Sequence, residues 1–432
     1  MPTISFVVIA YNVQQYIAAC LRSLQAQTSD DFEVIVVDDA STDDTRRVIQ
    51  SICRDDDRFV LIAKDVNEGA HLARRTGVLS TAGRYVMFVD GDDCMQDTAC
   101  EVLSNVAVSR DFDILRFGRT LVPHGEANAR TALQEERAFN LTTGDMHFTD
   151  ILKSVFSENF SVRNTWSLID CMFDGDFVRQ GFAMMTEEPL GRMQDSYEFF
   201  VLASRARSMM FFTEYRALRY NFGTGVSGNG LETLQKFDRG HTGIHTSLNA
   251  VLQYAAGSNN DAVVHCAQWY KHTVLGIVGR EWVTRLTEAD QAAGIRSLRE
   301  EWGDENTAYM LLDPLIARAQ WFVEHDAVPS EDDPYVRWTR LFNSLDLQEV
   351  ADSLIQRRID DFHLLRQELN NREQHRQEEL REELSRRQQE MIEQQRLLKK
   401  GTVLRRMMDR CFPESGMARK TLRTIVRWIL RR

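Results

Sequence analysis

Phe32–Asp44 reads FEVIVVDDASTDD. Within it, Glu33–Val37 is short, β-branched and nearly continuous in apolar residues, the pattern of a strand buried on both faces of a parallel sheet. The strand runs into Asp38-Asp39 and then into Ser41-Thr42-Asp43-Asp44, whose S-x-x-D form predicts a helix start. The same order recurs on either side. Ile4–Ala10 (ISFVVIA), Phe59–Ile62 (FVLI) and Tyr85–Val89 (YVMFV) read as further buried strands. Between them Val13, Ile17, Leu21 and Leu24, then Val48 and Ile52, recur at helical spacing. Strand–helix–strand repetition over the first ~115 residues predicts an open, mostly parallel α/β sheet with right-handed crossovers.

In such a sheet ligands bind outside the carboxyl ends of the strands. Acids stand at two of those ends: Asp38-Asp39, and Asp90-Gly91-Asp92-Asp93 after the fourth strand. Three carboxylates within four residues repel one another unless a cation lies among them. Gly91 would let the chain turn so that Asp90 and Asp92 approach one point. Hard oxygen ligands of this kind suit Mg²⁺ or Mn²⁺ sharing its coordination with a diphosphate, although Asp/Gly-rich strand ends are also ordinary turns and helix caps.

Composition narrows the alternatives. Of the 432 residues, 23 are Phe, 7 Trp and 10 Tyr, ample for a core, which excludes general disorder. No stretch approaches the ~18 uninterrupted apolar residues of a spanning helix. The N-terminus lacks the basic flank and cleavage site of a secretion signal, and seven cysteines without a C-x-x-C pair suggest neither a disulfide framework nor a zinc cage. The expected setting is cytoplasmic and reducing, with a peripheral place on the inner face of the cell membrane. The net charge of −12 is unevenly spread. From Lys399 onward eleven lysines and arginines face only Asp409 and Glu414, a surplus of nine, so the remainder carries −21. An acidic body argues against nucleic acid as partner and directs the tail toward an anionic surface. Ser415–Arg432 reads as a basic amphipathic helix with Trp428 near its end, suited to a membrane interface or to docking on an acidic protein body.

Residues 4–93 resemble the nucleotide-binding half of an inverting family-2-type glycosyltransferase of the bacterial surface-polysaccharide type. Five blocks carry the resemblance in order: ISFVVIAYN (Ile4–Asn12), CLRSLQAQT (Cys20–Thr28), FEVIVVDDASTDD (Phe32–Asp44), NEGAHLARRTG (Asn67–Gly77) and GRYVMFVDGDD (Gly83–Asp93). The resemblance implies a Rossmann-like glycosyltransferase-A fold and a nucleotide-sugar donor, with a UDP-sugar expected. It implies that Ala10, Tyr11, Asp39, Asn67, Arg74 and Asp90 bind the donor nucleotide, with Asp39 facing the base, and that Asp90 and Asp92 hold Mn²⁺ or Mg²⁺. Arg75 stands where an Asn is usual, a change expected to alter only local packing. Asp195, in EEPLGRMQDSYEFF (Glu187–Phe200), matches the base that would activate the acceptor hydroxyl, with Gln194 in place of the preceding Glu. Glu187, Glu188 and Glu198 are the other candidates. Trp166, in NTWSLID, matches the acceptor-site tryptophan, with Leu168 where a Lys is common; a core tryptophan is the competing reading. Leu218–Ser227 resembles a closing loop that folds over the diphosphate. His241 and His245 are read as structural.

The implied organisation is a catalytic domain over 1–228 (nucleotide-sugar half 1–115, acceptor half 116–228), a helical domain over 229–340, a long charged helix or coiled coil over 341–400 and a basic amphipathic tail over 401–432. The partners expected are a nucleotide-sugar donor, a cell-envelope or lipid-linked glycan acceptor, an anionic membrane and a second copy through 345–398. Two other readings stay open. Nucleotidyl transfer also uses acidic strand ends, but Ala10-Tyr11-Asn12 is not a Gly-rich phosphate loop. An inactive scaffold acting through the helical C-terminus is the reading from a different class.

Overall fold

The computed structural model describes residues 1–158, 164–223, 230–411, 421, 424–425 and 427–428. The first half alternates as the sequence predicts: β1 (Ile4–Ala10), α1 (Ile17–Gln25), β2 (Phe32–Asp38), α2 (Thr45–Asp55), β3 (Phe59–Ala63), α3 (Ala70–Leu79) and β4 (Tyr85–Asp90). These four strands are parallel in the order β3-β2-β1-β4, and their register brings Ala10 beside Asp38 and Ile9 beside Asp90. Val34, Val36, Val86 and Met87 are fully buried, which explains their unbroken apolar reading.

The chain continues through β5 (Cys94–Met95), α4 (Ala99–Val108), β6 (Ile114–Pro123), α5 (Glu126–Phe139), β7 (Met146–His147), α6 (Thr149–Phe156), β8 (Cys171–Asp174), α7 (Gly175–Met184), α8 (Gln194–Arg205) and β9 (Ser208–Phe222). This half turns the sheet mixed. β8 lies antiparallel between β4 and β6, β9 runs parallel to β6, and β5 and β7 add short antiparallel pairs on β9. β9 includes Leu218–Phe222, so the described part of the expected closing loop is sheet; residues 224–229 lie outside the described residues.

Helices follow: α9 (Leu234–Ala256), α10 (Asp261–Arg285), α11 (Glu288–Glu324), α12 (Pro334–Phe342) and α13 (Ser353–Cys411). Two compact units result, one of residues 1–314 with 340–356, the other of residues 315–339 with 357–432. The second is held by an Arg318–Asp333 ion pair of 2.6 Å and by Phe322, Tyr335 and Phe362 in edge contact. α13 is one continuous helix of 59 residues. Phe362 and Leu369 are buried, whereas Leu380, Leu384, Met391 and Leu398 are exposed. Its apolar stripe thus packs only where other helices of its own unit reach it. No helix among the described residues is long and apolar enough to cross a membrane. The amphipathic tail expected over 415–432 falls mostly outside the described residues.

The helix start expected at Ser41–Asp44 is there, with Asp44 as N-cap and α2 beginning at Thr45, but Asp44 makes no side-chain cap bond. These residues tie down the turn after β1 instead. Ser41 Oγ accepts from the Asn12 amide (3.0 Å), and Asp43 accepts from the Thr45 amide at 2.9 Å and the Gln14 amide at 3.3 Å. Asn12, at one end of this link, and Ala40, next to Ser41 at the other, both have positive φ (52° and 61°). Side-chain bonds hold a backbone shape that L-residues rarely adopt.

Candidate active site

Two adjacent acids end β2 and separate in role. Asp38 is fully buried and bonds Arg46 Nε at 2.6 Å, anchoring α2. Asp39 turns to the strand-end cleft. Its carboxylate accepts from the amides of Glu68 (3.1 Å) and Gly69 (2.8 Å), Asn67 Nδ2 donates to its carbonyl (3.1 Å), and Lys64 Nζ lies 3.5 Å away. A carboxylate has about four lone-pair positions, so two remain for a ligand.

The motif at the end of β4 divides similarly. Gly91 lies in the tight turn expected of it, closed by the Asp93 amide donating to the Asp90 carbonyl at 2.9 Å, and it makes that turn without a positive φ. Its need is space: a Cβ there would meet the Ile9 carbonyl oxygen at 2.9 Å. Asp93 does not join Asp90 and Asp92 at the cleft. It is fully buried, accepts from the Asn221 amide of β9 at 2.8 Å, and is pushed up to about 9 by burial and then by Asp90 and Asp92. Holding Asp93 neutral relieves the repulsion that three carboxylates would create. Among the described residues no group of three or more His, Cys, Asp and Glu side chains gathers as a metal cage. Asp90 and Asp92, which both line the cleft, nevertheless fit a hard divalent ion of the kind that takes one or two carboxylates and completes its shell with substrate phosphates.

Around these ends lie two clefts. The first, of about 380 Å³, is lined by Ala10, Tyr11, Asp39, Asn67, Arg74, Asp90, Asp92 and Gln194 among others. All the residues expected at the donor nucleotide are therefore in one cleft. The second, of about 440 Å³, is lined by Arg119, Phe139, Trp166, Asp195 and Tyr220. Arg74 and Asp90 line both. Arg74 is buried, donating from Nη2 to Asp90 (3.1 Å) and from Nη1 to Glu198 (3.2 Å). Burial works against its charge, but Glu198, Asp90 and Asp195 outweigh that and hold its pKa raised.

Asp195 lies in the first turn of α8, entered through Met193 at φ 65°. This entry is clamped from the helical region. Arg192 makes a bidentate pair with Glu281 of α10 (2.8 and 2.9 Å), and Ser196 hydrogen-bonds Tyr270. Gly191 crosses α9 so closely that a Cβ would stand 2.2 Å from the Gly243 Cα. The Asp195 carboxyl accepts from the Ser196 amide at 3.0 Å and is pushed up to about 6, by burial first, with Arg74 pulling down and Glu198 and Asp90 pushing up. Of the other candidates, Glu198 is fully buried between His71 (2.9 Å) and Arg74, and Glu187 is an exposed partner of Arg75 (2.6 Å). Neither Glu187, Glu188 nor Glu198 lines either cleft.

Trp166 packs into the core and also borders a cleft. It stacks on Phe156 (6.4 Å, 16°) and meets Tyr270 edge-on (6.1 Å, 78°), yet it also lines the second cleft. His241, bonded to Ser297 (3.0 Å), and His245, bonded to Glu301 (2.6 Å), lie on neither cleft wall. Sequence reading missed the His71–Glu198–Arg74 chain behind the shared wall and the pair Arg119–Phe139. The first had a signal in the NEGAHLARR block, since His71 and Arg74 are three apart on one helix. The second had none, because nothing in the sequence sets Arg119 beside Phe139, twenty residues further on.

A parallel first half continued by a mixed second half, with the cleft at the strand ends, is the architecture of the glycosyltransferase-A class of α/β domain. Residues 5–168 match the family model described as Glycosyl transferase family 2. An uncharacterized glycosyltransferase of Bacillus subtilis (strain 168), EpsJ, is 34% identical over 131 residues, 28% of this chain and 38% of EpsJ. The GalNAc(5)-diNAcBac-PP-undecaprenol beta-1,3-glucosyltransferase of Campylobacter jejuni is 33% identical over 108 residues, 25% of this chain and 35% of that protein. The matches span little more than a third of these relatives. Residues 1–349 of S. aureus TarS, in a crystal structure with UDP-GlcNAc, align over 80% of this chain and 91% of that one at a TM-score of 0.50 and 16% identity, a likeness of fold.

Proposed function

We propose that the protein is an inverting glycosyltransferase that moves a sugar from a nucleotide sugar, expected to be a UDP-sugar, to an acceptor hydroxyl of a cell-envelope or lipid-linked glycan. The observation that carries this reading is the pair of clefts meeting at Arg74 and Asp90, with Gln194 facing one and its neighbour Asp195 facing the other. In the first cleft Asp39 and Asn67 would hold the base and Ala10 and Tyr11 the nucleoside. Arg74 would set the diphosphate at the shared wall. The acceptor hydroxyl, resting in the second cleft against Trp166, attacks the anomeric carbon on the face away from the diphosphate. Asp195 takes its proton, the new C–O bond forms as the bond to the diphosphate breaks, and the nucleoside diphosphate leaves with its electron pair. A carboxyl poised near 6 is ionised at neutral pH yet more basic than an ordinary aspartate, as a general base requires. Mn²⁺ or Mg²⁺ held by Asp90 and Asp92 would supply charge neutralisation on the diphosphate.

The Campylobacter relative, named for a polyprenol-linked glycan, supports an acceptor of that class. A lipid-linked acceptor would draw the enzyme to a membrane face, and the basic surplus from Lys399 onward supports a peripheral position there. The test is a panel of nucleotide sugars, beginning with UDP-GlcNAc, with and without Mn²⁺, scored by thermal shift and by release of the nucleoside diphosphate. Metal-dependent stabilisation by one donor with slow release of its nucleotide is the expected result. Failure to bind any nucleotide would sink the transferase reading.

A further inference from the structure

The second cleft holds a cation that its surroundings do not satisfy. Arg119, on β6, is 3% exposed and lines this cleft but not the first. Its guanidinium carbon is 3.5 Å from the centroid of the Phe139 ring and 5.6 Å from that of Tyr220. Its polar contacts are thin: Nη1 reaches Ser167 Oγ at 3.5 Å, and Nη2 lies 3.5 Å from Asp170. Among the described residues Nε and Nη2 have no hydrogen-bond partner.

Asp170 repairs this only in part, since its Oδ2, itself without a hydrogen-bond partner among the described residues, stays 3.5 Å from Arg119 Nη2. Arg116 Nη1 bonds its Oδ1 at 3.0 Å, and Arg116 Nη2 fills the carbonyls of Thr165 (2.8 Å) and Ser167 (3.2 Å). Two guanidiniums therefore share one buried carboxylate. Arg74 in the same wall differs, with both terminal nitrogens on carboxylates. Burial depresses the pKa of Arg119, Asp170 raises it and Arg116 lowers it again, yet an arginine keeps its proton in proteins. A buried cation left with unmade hydrogen bonds is costly, and this residue borders a cavity.

We infer that Arg119 is the recognition site for a compact oxyanion on the acceptor, the carboxylate of an acidic sugar or a phosphate ester, so that this enzyme glycosylates an anionic glycan. Two N–H donors on one planar fork suit such a group, and the Phe139 ring holds the fork in place. Asn164, Thr165 and Ser167 border the same space and offer polar contacts to the sugar that bears the anion. The inference rests on the transferase reading for the word acceptor; the anion site itself does not depend on it.

The experiment is ligand-observed NMR on the full chain, with methyl β-glucuronide, glycerol phosphate and neutral methyl β-glucoside as probes, each with and without saturating UDP. The carboxylate and phosphate arms separate the two sources of the anion. Expected is binding of at least one anionic probe roughly 10- to 100-fold tighter than the neutral one, the range of a charged hydrogen-bonded contact, and undiminished by UDP. Arg119→Gln should lose that preference and Arg119→Lys should keep part of it, with UDP affinity and circular dichroism unchanged in both. Equal binding of charged and neutral probes, displacement of the anion by UDP, or an unaltered preference in a folded Arg119→Gln would each overturn the inference. Should that variant not fold, the wild-type preference and the UDP competition still decide. Loss of UDP binding alone would count against the transferase reading, while the nucleotide-free arms continue to judge the Arg119 site.

Discussion

Of the two clefts that meet at Arg74 and Asp90, the first takes its walls from consecutive strand ends, and the second from segments scattered over more than a hundred residues. Apart from Gln194, the first is lined by residues between Ile9 and Asp92. The second needs β6, the end of α5, residues 164–169, the start of α8 and the end of β9. The first is held by main-chain hydrogen bonds, such as Glu68 and Gly69 on Asp39. The second depends on props behind it: Arg192 on Glu281, Ser196 on Tyr270, Trp166 on Phe156. Binding of a common ligand portion can sit on a rigid strand edge, whereas selection among acceptors sits where several elements converge and each can vary. The comparison can be broken by variants that fail to separate the two clefts.

The largest separation is expected from Asp195→Asn. Loss of the base should cut transfer about 10²–10⁴-fold while UDP affinity holds. The same variant should be more stable at alkaline pH. The Asp195 carboxyl is raised above its ordinary 3.8, so its favourable contribution is complete below about 4 and is lost as pH rises through about 6. An asparagine does not titrate, and at pH 8 the gain should approach roughly 3 kcal/mol, visible as a higher Tm. Lower activity with an equal or lower Tm at pH 8 would mean the carboxylate is stabilised by its surroundings, contrary to its burial beside Glu198 and Asp90.

Asp39→Asn probes the first cleft alone. It keeps the shape but removes a charge that organises the Glu68–Gly69 turn and faces the ligand, a change worth about 10- to 100-fold in UDP affinity for a charged hydrogen bond. Acceptor KM should not move. A titration of transfer rate sharpens the contrast from the other side. Below about 6 the rate should fall about tenfold per pH unit as Asp195 takes up a proton, and the nucleotide affinity should not follow that limb. The groups setting that midpoint are Arg74, Glu198 and Asp90, so Glu198→Gln, which removes a repelling charge, should shift the limb to lower pH.

How much was legible follows the same division. β1, β2 and β4 were readable because parallel strands buried on both faces are written as unbroken apolar runs, and the acids after β2 and β4 stand next to them in sequence. β3 reads as buried too, but it is the edge strand and its Val60 is exposed. Asp39, Asp90 and Asp92 needed only that adjacency and the family blocks. The inward turn of Asp93 was not readable, since it depends on an amide of β9, 128 residues away. Ser41–Asp44 marked the helix start but not its side-chain bonds, because a cap and a loop tie use the same residue types, and the partner at Asn12 decides between them. Asp195 was found by resemblance, but its basicity comes from burial, with Glu198 three residues on and the sequence-distant Asp90 raising it against Arg74. Arg119 had no mark at all, because an arginine on a strand looks the same whether paired or waiting for an anion.

Trp166→Ala is the smallest effect and the sharpest test of whether the second cleft works as one surface. The ring has one commitment to Phe156 and Tyr270 and another to the cavity, and truncation removes both. Were packing its only role, the variant would lose stability and the clefts would suffer alike, since Tyr270 also holds Ser196 at the start of α8. A sugar-stacking role gives a different pattern: acceptor KM rises about tenfold, an aromatic contact of the order of 1 kcal/mol beyond area burial, with UDP affinity unchanged. Trp166→Phe separates the two further, because a phenyl ring can still stack on a sugar while filling less of the space against Phe156. Recovery of acceptor KM in Trp166→Phe without recovery of Tm would assign the exposed face to the acceptor, and recovery of both together would assign the residue to the packing behind Asp195.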